Sequence, residues 1–195
     1  SDGDLDVYLP QGQPLAASSA VLPAAGGGRL YRNDLRVASD GTRTLHFTDI
    51  TAGSGLDGPG YGLGVAAGDV DNDGRVDLYV TGFDGSRLYR NAGGGTFTDI
   101  TTTSGAGNAG GFAVSAAFVD IDRDGWLDLY VANNVTYRTT NTTVCPGPAG
   151  AADYCPPQIY GGLPDRLYRN LGRGRFRDVS ASALTGLKAR PGLGV

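Results

Sequence analysis

Apolar positions come in short bursts along this chain, and the bursts recur in a fixed order. Val7-Tyr8-Leu9, Leu78-Tyr79-Val80 and Leu129-Tyr130-Val131 each follow an Asp-rich, Gly-containing stretch. Arg-Leu-Tyr-Arg-Asn appears at 29–33, 87–91 and 166–170, and each copy is followed by Phe-x-Asp-Ile or Phe-x-Asp-Val, at 47–50, 97–100 and 176–179. A Gly/Ala-rich stretch precedes the loops at Asp69 and Asp120, with Gly62, Gly64, Ala66 and Ala67 in one copy and Ala113, Ser115, Ala116 and Ala117 in the other. Runs this short, bounded by Gly, Asn and Asp, predict strands. The two loops lie 51 residues apart. Four short strands in a repeat of that length predict an all-β fold, a β-propeller of four-stranded blades. The repeats divide the chain into units at about 1–57, 58–108 and 109–186, with 187–195 opening a further one. Small residues suit an innermost strand at a crowded axis, and the recurrent Leu, Tyr, Phe and Ile would fill the space between blades.

The loop from Asp69 to Val80 carries the chemistry. Asp69, Asp71, Asp73 and Asp77 stand at loop positions 1, 3, 5 and 9, Gly74 permits a turn with positive φ, and the carbonyl of Arg75 is a further oxygen. Two carboxylates about 4 Å apart repel by roughly 4 kcal/mol at an effective dielectric near 20, so four on one point need a cation. Oxygen ligands in a flexible ring favour calcium over magnesium and zinc. An EF-hand would need Glu at position 12, where Val80 stands, and flanking helices. A solvated Asp-rich turn is the plain alternative for one such loop. The pattern returns, however, at Asp120, Asp122, Asp124, Gly125 and Asp128, with Trp126 in the place of Arg75. Asp2, Asp4 and Asp6 match the second half of a third loop.

Composition narrows the class. Thirty-three Gly, ten Pro and a single Lys among 195 residues disfavour long helices. Every acidic residue is Asp, which bonds to nearby backbone in turns and loops. The net charge is −4 and the Arg residues are scattered, so nucleic acid is not an expected partner. No apolar run reaches the roughly 20 residues of a membrane span. Met is absent, Asp2 falls in mid-motif, and Gly192-Leu193-Gly194-Val195 repeats Gly62-Leu63-Gly64-Val65. A longer natural protein is therefore expected, and three units alone would leave apolar faces open and be marginal or associate.

Gly-x-Gly-Val-Ala-Ala-Gly-Asp followed by Asp-x-Asp-x-Asp-Gly-x-x-Asp-Leu-Tyr-Val resembles the FG-GAP, or VCBS, repeat of integrin α-subunit propellers and many secreted bacterial proteins. With Arg-Leu-Tyr-Arg-Asn, Phe-Thr-Asp-Ile-Thr and the segment from Cys145 to Cys155, the string is similar to the cartilage acidic protein type, whose bacterial members often carry an ASPIC/UnbV domain. The resemblance implies a seven-bladed propeller and calcium at Asp69, Asp71, Asp73, Arg75 through its carbonyl and Asp77. It implies the same at Asp120, Asp122, Asp124, the Trp126 carbonyl and Asp128, and an incomplete site at Asp2, Asp4 through its carbonyl and Asp6. It also implies a secreted module for protein or glycan interaction or adhesion.

Two insertions, at about 10–28 and 132–165, fall between the second and third strands of a unit, on the side away from the calcium loops. Cys145 and Cys155 enclose a Pro/Gly-rich loop without a nearby His, a poor zinc site. In an exported chain a disulfide is natural; free buried thiols are the alternative. Arg32, Arg90 and Arg169 recur one strand away from Asp49, Asp99 and Asp178, which predicts cross-strand ion pairs. Trp126, Tyr137, Tyr154 and Tyr160 could stack on a sugar, although packing is the commoner use of aromatic residues. The sequons at Asn134 and Asn141 matter only in a eukaryotic secretory pathway. Catalysis is not expected, since the single His, His46, permits no Ser/His/Asp set and there is no Glu. The competing reading is the propeller part of an extracellular polysaccharide lyase or hydrolase, with its chemistry elsewhere.

Overall fold

The computed structural model describes residues 5–12, 27–58, 60–83, 85–140, 143–147, 150–153 and 155–195. Strand β1 (Val7–Leu9) pairs antiparallel with β2 (Arg29–Asn33), β3 (Arg36–Val37) and β4 (Arg43–Thr44) form a small hairpin, and β5 (Phe47–Asp49) returns to β2. A second sheet runs up and down through β6 (Tyr61–Gly68), β7 (Asp77–Phe83), β8 (Arg87–Gly93) and β9 (Thr96–Asp99). The one-turn helix α1 (Thr101–Ser104) leads to a third sheet of β10 (Ala113–Val119), β11 (Asp128–Asn133), β14 (Arg166–Asn170) and β15 (Phe176–Asp178), followed by α2 (Ser180–Ala183). Between β11 and β14 the chain forms a further hairpin, β12 (Cys145–Pro146) with β13 (Ala152–Asp153). The protein is all-β, in antiparallel sheets.

Register repeats with the sequence. Leu78, Tyr79 and Val80 face Tyr89, Leu88 and Arg87, while Leu129, Tyr130 and Val131 face Tyr168, Leu167 and Arg166 in the same order. Alternate side chains leave a strand on opposite faces. Leu78, Val80 and Tyr89 accordingly pack with Leu30 and Leu56 toward the first sheet, while Tyr79 and Leu88 join Leu129, Val131, Tyr168 and Phe176 toward the third. The second sheet is thus covered on both sides. Tyr79 is fully buried, and its hydroxyl donates to the Ala106 carbonyl at 2.8 Å, so its polar end is satisfied inside the core. On the first sheet the positions equivalent to Leu78, Val80 and Phe97 are Val7, Leu9 and Phe47, and these are 37%, 45% and 41% exposed. That apolar face is open.

Close approach explains the small residues of the leading strands. A Cβ at Gly64 would lie 2.8 Å from the Val114 carbonyl oxygen, and one at Gly68 would lie 2.9 Å from the Phe118 ring. β6 and β10 therefore meet at backbone distance.

Two expectations need correction. Asp99 pairs with Arg87 at 3.0 Å, Asp178 with Arg166 at 3.1 Å and Asp49 with Arg29 at 3.9 Å, not with Arg90, Arg169 and Arg32. The parity of the strand is the reason: Asp99 lies opposite Tyr89, which shares a face with Arg87 and not with Arg90. The β3–β4 hairpin also lies where the repeat predicted only a link between the last two strands of a unit. Its cue was Asp40-Gly41, with Gly41 at φ 83°. Of the first insertion, residues 13–26 lie outside the described residues. The second sits between β11 and β14 as the sequence predicts.

Candidate metal centres

Each Asp-rich loop joins the first two strands of its sheet, and its backbone is folded by its own carboxylates. Asp69 accepts the N–H groups of Asp73 at 3.0 Å and Gly74 at 2.8 Å, and Asp120 accepts those of Asp124 and Gly125, each at 3.1 Å. Asp73 accepts the N–H of Arg75 and Asp124 that of Trp126. Gly74 and Gly125 take φ values of 82° and 86° at the turn. Asn72 and Arg123, at φ 56° and 60°, enter the same left-handed region two residues earlier, a feature that the spacing did not reveal.

The carboxylate at loop position 9 ties the loop to the third strand. Asp77 accepts the N–H of Val70 at 3.0 Å and of Asn91 at 2.8 Å, and Asp128 accepts those of Ile121 at 3.2 Å and Asn170 at 2.8 Å. The Asn side chains complete the clasp: Asn91 donates to the Val76 carbonyl at 3.0 Å and Asn170 to the Leu127 carbonyl at 2.9 Å. These Asn residues have no role in the sequence reading, although their recurrence at the end of Arg-Leu-Tyr-Arg-Asn was the available signal. In the first sheet the N–H of Asn33 donates to Asp6 at 2.9 Å in the same manner. Asp2 and Asp4 lie outside the described residues.

Among the described residues two acidic groups converge. Asp69, Asp71 and Asp77 bring one carboxylate oxygen each within 4.8 Å of one another, and so do Asp120, Asp122 and Asp124. Asp73 and Asp128 stand outside these trios. Asp73 is bound by the Arg75 guanidinium, whose Nε also donates to the Asn91 carbonyl at 2.9 Å. Burial pushes the Asp77 carboxyl up to about 6 against the two N–H groups that hold it, and burial with the charges of Asp73 and Asp69 raises Asp71. Oδ1 of Asp71 is enclosed and has no hydrogen-bond partner. A hard cation would satisfy that oxygen and relieve the crowding, so the donor set fits calcium.

The loops also touch each other. Asn72 donates to the Gly125 carbonyl at 3.0 Å, and Asn170 reaches the Val70 carbonyl at 2.9 Å.

At the opposite edge of the sheets Cys145 and Cys155 form a disulfide, with Cα atoms 5.1 Å apart. Phe83 contacts Tyr61, Phe112 and Tyr137, and Tyr137 contacts Tyr160, so half-exposed rings run together along this edge. Trp126 is not among them; it lies on the metal-loop edge, beside Gly172. Tyr154 and Asn141 fall outside the described residues. Asn134 is half-buried with Oδ1 enclosed, a poor acceptor for a glycan. His46 is exposed.

Residues 69–131 match the family model of the FG-GAP-like repeat, a span that takes in both Asp loops. This chain carries an FG-GAP-like repeat. Cartilage acidic protein 1 of Xenopus tropicalis is 30% identical over 87 residues, which is 44% of this chain. The aligned part covers only 13% of that protein's length. Among the described residues no helix is long and apolar enough to cross a membrane.

Proposed function

We propose that the chain is part of a secreted β-propeller whose Asp loops hold structural calcium, and that it serves as an interaction or adhesion module for a protein or a glycan. The units at about 1–57, 58–108 and 109–186 are its blades. The stacking of sheets through the same faces, with β6 and β10 in backbone contact, supports that arrangement.

The observation that carries the calcium reading is the enclosed, unpartnered Asp71 oxygen amid the convergence of Asp69, Asp71 and Asp77. In this reading Asp69, Asp71, Asp73 and Asp77 with the Arg75 carbonyl form one site, and Asp120, Asp122, Asp124 and Asp128 with the Trp126 carbonyl form the next. Asp6 belongs to a third, with Asp2 and Asp4. Bound calcium supplies fixed positive charge that holds the loops. The disulfide agrees with export to an oxidising compartment.

Extracellular calcium modules show dissociation constants of roughly 0.1 to 1 mM. At about 0.1 mM affinity, about 1 mM calcium stabilises the fold by about 1.4 kcal/mol per site. Calorimetric titration of chelator-stripped protein is expected to show uptake, and melting is expected to move upward with calcium. Absence of uptake would reject the site assignment.

A further inference from the structure

The two Asp loops share sequence, backbone and clasp, yet their counter-charges come from different places. In the Asp69 loop the cation is Arg75, from within the loop itself. It engages Asp73, the one acidic residue among positions 1, 3, 5 and 9 that stands apart from the converging trio, and its Nε is anchored on the Asn91 carbonyl. The oxygens of Asp69, Asp71 and Asp77 that converge thus carry no direct guanidinium bond. Arg90, on β8, acts on Asp71 only as a nearby charge.

In the Asp120 loop Trp126 replaces Arg75 and brings no charge. The equivalent of Arg90 fills the gap. Arg169, on β14, places Nη2 2.5 Å from Asp122 and 3.4 Å from Asp124, so one guanidinium spans two of the three converging carboxylates. Its position in the strand explains the reach: Arg169 lies opposite Arg177, on the other face from the Arg166–Asp178 pair. It directly precedes Asn170, whose N–H and amide clasp the same loop.

From this difference we propose that Arg169 is the built-in counter-cation of the Asp120 loop and sets its calcium affinity below that of the Asp69 loop. The inference rests on the reading that these loops take calcium. A divalent ion must release Arg75 from one ligand, Asp73, in the Asp69 loop, but must release Arg169 from two, Asp122 and Asp124, in the Asp120 loop. The released side chain is tethered within a few ångströms and still repels the ion. Arg169 therefore acts twice against metal at this loop, and when metal is absent it stabilises the loop in its place.

The test uses calcium chloride as the probe, in calorimetric titrations of the full chain stripped with chelator. Asp71→Asn leaves the Asp120 loop as the one complete site and Asp122→Asn leaves the Asp69 loop, with the incomplete site at Asp2, Asp4 and Asp6 common to both backgrounds. In the first background Arg169→Gln is expected to tighten calcium binding about tenfold, with Arg169→Lys between the two because it keeps the charge and loses the fork. In the second, Arg90→Gln is expected to change affinity less than about threefold, because Arg90 makes no direct bond to the trio. Without calcium, Arg169→Gln is expected to melt below the parent. Unchanged or weaker binding by Arg169→Gln, in a protein that does take up calcium, overturns the role of Arg169 alone. No uptake by the parent protein overturns the calcium reading and this inference with it.

Discussion

The two edges of the sheets are held by different means. At the metal-loop edge each turn is captured many times over by backbone N–H groups donating to carboxylates, such as those of Asp73 and Gly74 to Asp69 and of Asn91 to Asp77, and the same bonds recur at Asp120, Asp128 and Asn170. At the opposite edge the long segment between β11 and β14 is held by one covalent link, a two-residue hairpin pair, aromatic contacts and hydrogen bonds that do not recur in the other sheets, such as those of Asp165 with Tyr130 and Asn133 and of Thr136 with Gly161. A motif that repeats can dictate its turn locally; a segment that occurs once depends on what it meets. The repeated edge should therefore be costly to break and slow to open, and the other edge should open by itself.

The largest expected effect is at Asp77. Replacing it with Ala leaves the buried N–H of Val70 and the half-buried N–H of Asn91 without their acceptor. We expect a loss of about 3 kcal/mol in urea unfolding with chelator present, so that metal plays no part. A loss under about 1 kcal/mol would mean that the clasp is ornamental.

Removal of the disulfide by Cys145→Ser with Cys155→Ser should cost about 2 to 3 kcal/mol, the value for a loop of this length. Its reach separates the edges. Hydrogen exchange is expected to quicken around 143–160 and to stay unchanged at 69–77. Equal quickening at both would show that the edges act as one unit.

Gly64→Ala probes the contact between sheets that both edges share. A Cβ 2.8 Å from the Val114 carbonyl oxygen cannot be accommodated without moving one strand, and about 1 to 2 kcal/mol should be lost. Gly74→Ala, by contrast, meets no neighbour and tests only backbone strain at φ 82°.

The smallest effect concerns the link between loops. Asn72→Ala removes an exposed hydrogen bond to Gly125, for about 0.5 to 1 kcal/mol. Calcium titration of this variant should find the Asp120 loop changed less than about threefold. A larger change would make the neighbouring loops a coupled pair.

Much of this structure was legible because the repeat aligns strand with strand. Leu78-Tyr79-Val80 and Arg87-Leu88-Tyr89 predict two strands, and their pairing follows from the turn between them. The carboxylates at 69, 71 and 77 were legible from spacing, since a turn that alternates side chains brings them together. Which Arg meets Asp99 was not, because the answer lies in register parity and a one-residue slip exchanges the faces. Asn91 and Asn170 were hidden for another reason. Their work is done by backbone N–H and amide groups on neighbouring strands, and no local pattern names the acceptor. The difference between Arg75 and Arg169 likewise follows only from where each guanidinium can reach.

The bare backbone at Gly64 has a geometric consequence. In the propeller proposed above the sheets are wedges, and the spacing of their leading strands fixes the taper of each wedge. With no side chain at 64, β6 and β10 can close to contact while bulky Tyr79, Leu129 and Tyr168 hold the bodies of the sheets apart. Taper decides how many wedges complete a circle. The size of one residue on the leading strand is thereby a control on curvature, and a chain that enlarged it in every repeat would turn more gently and need more repeats to meet its own beginning.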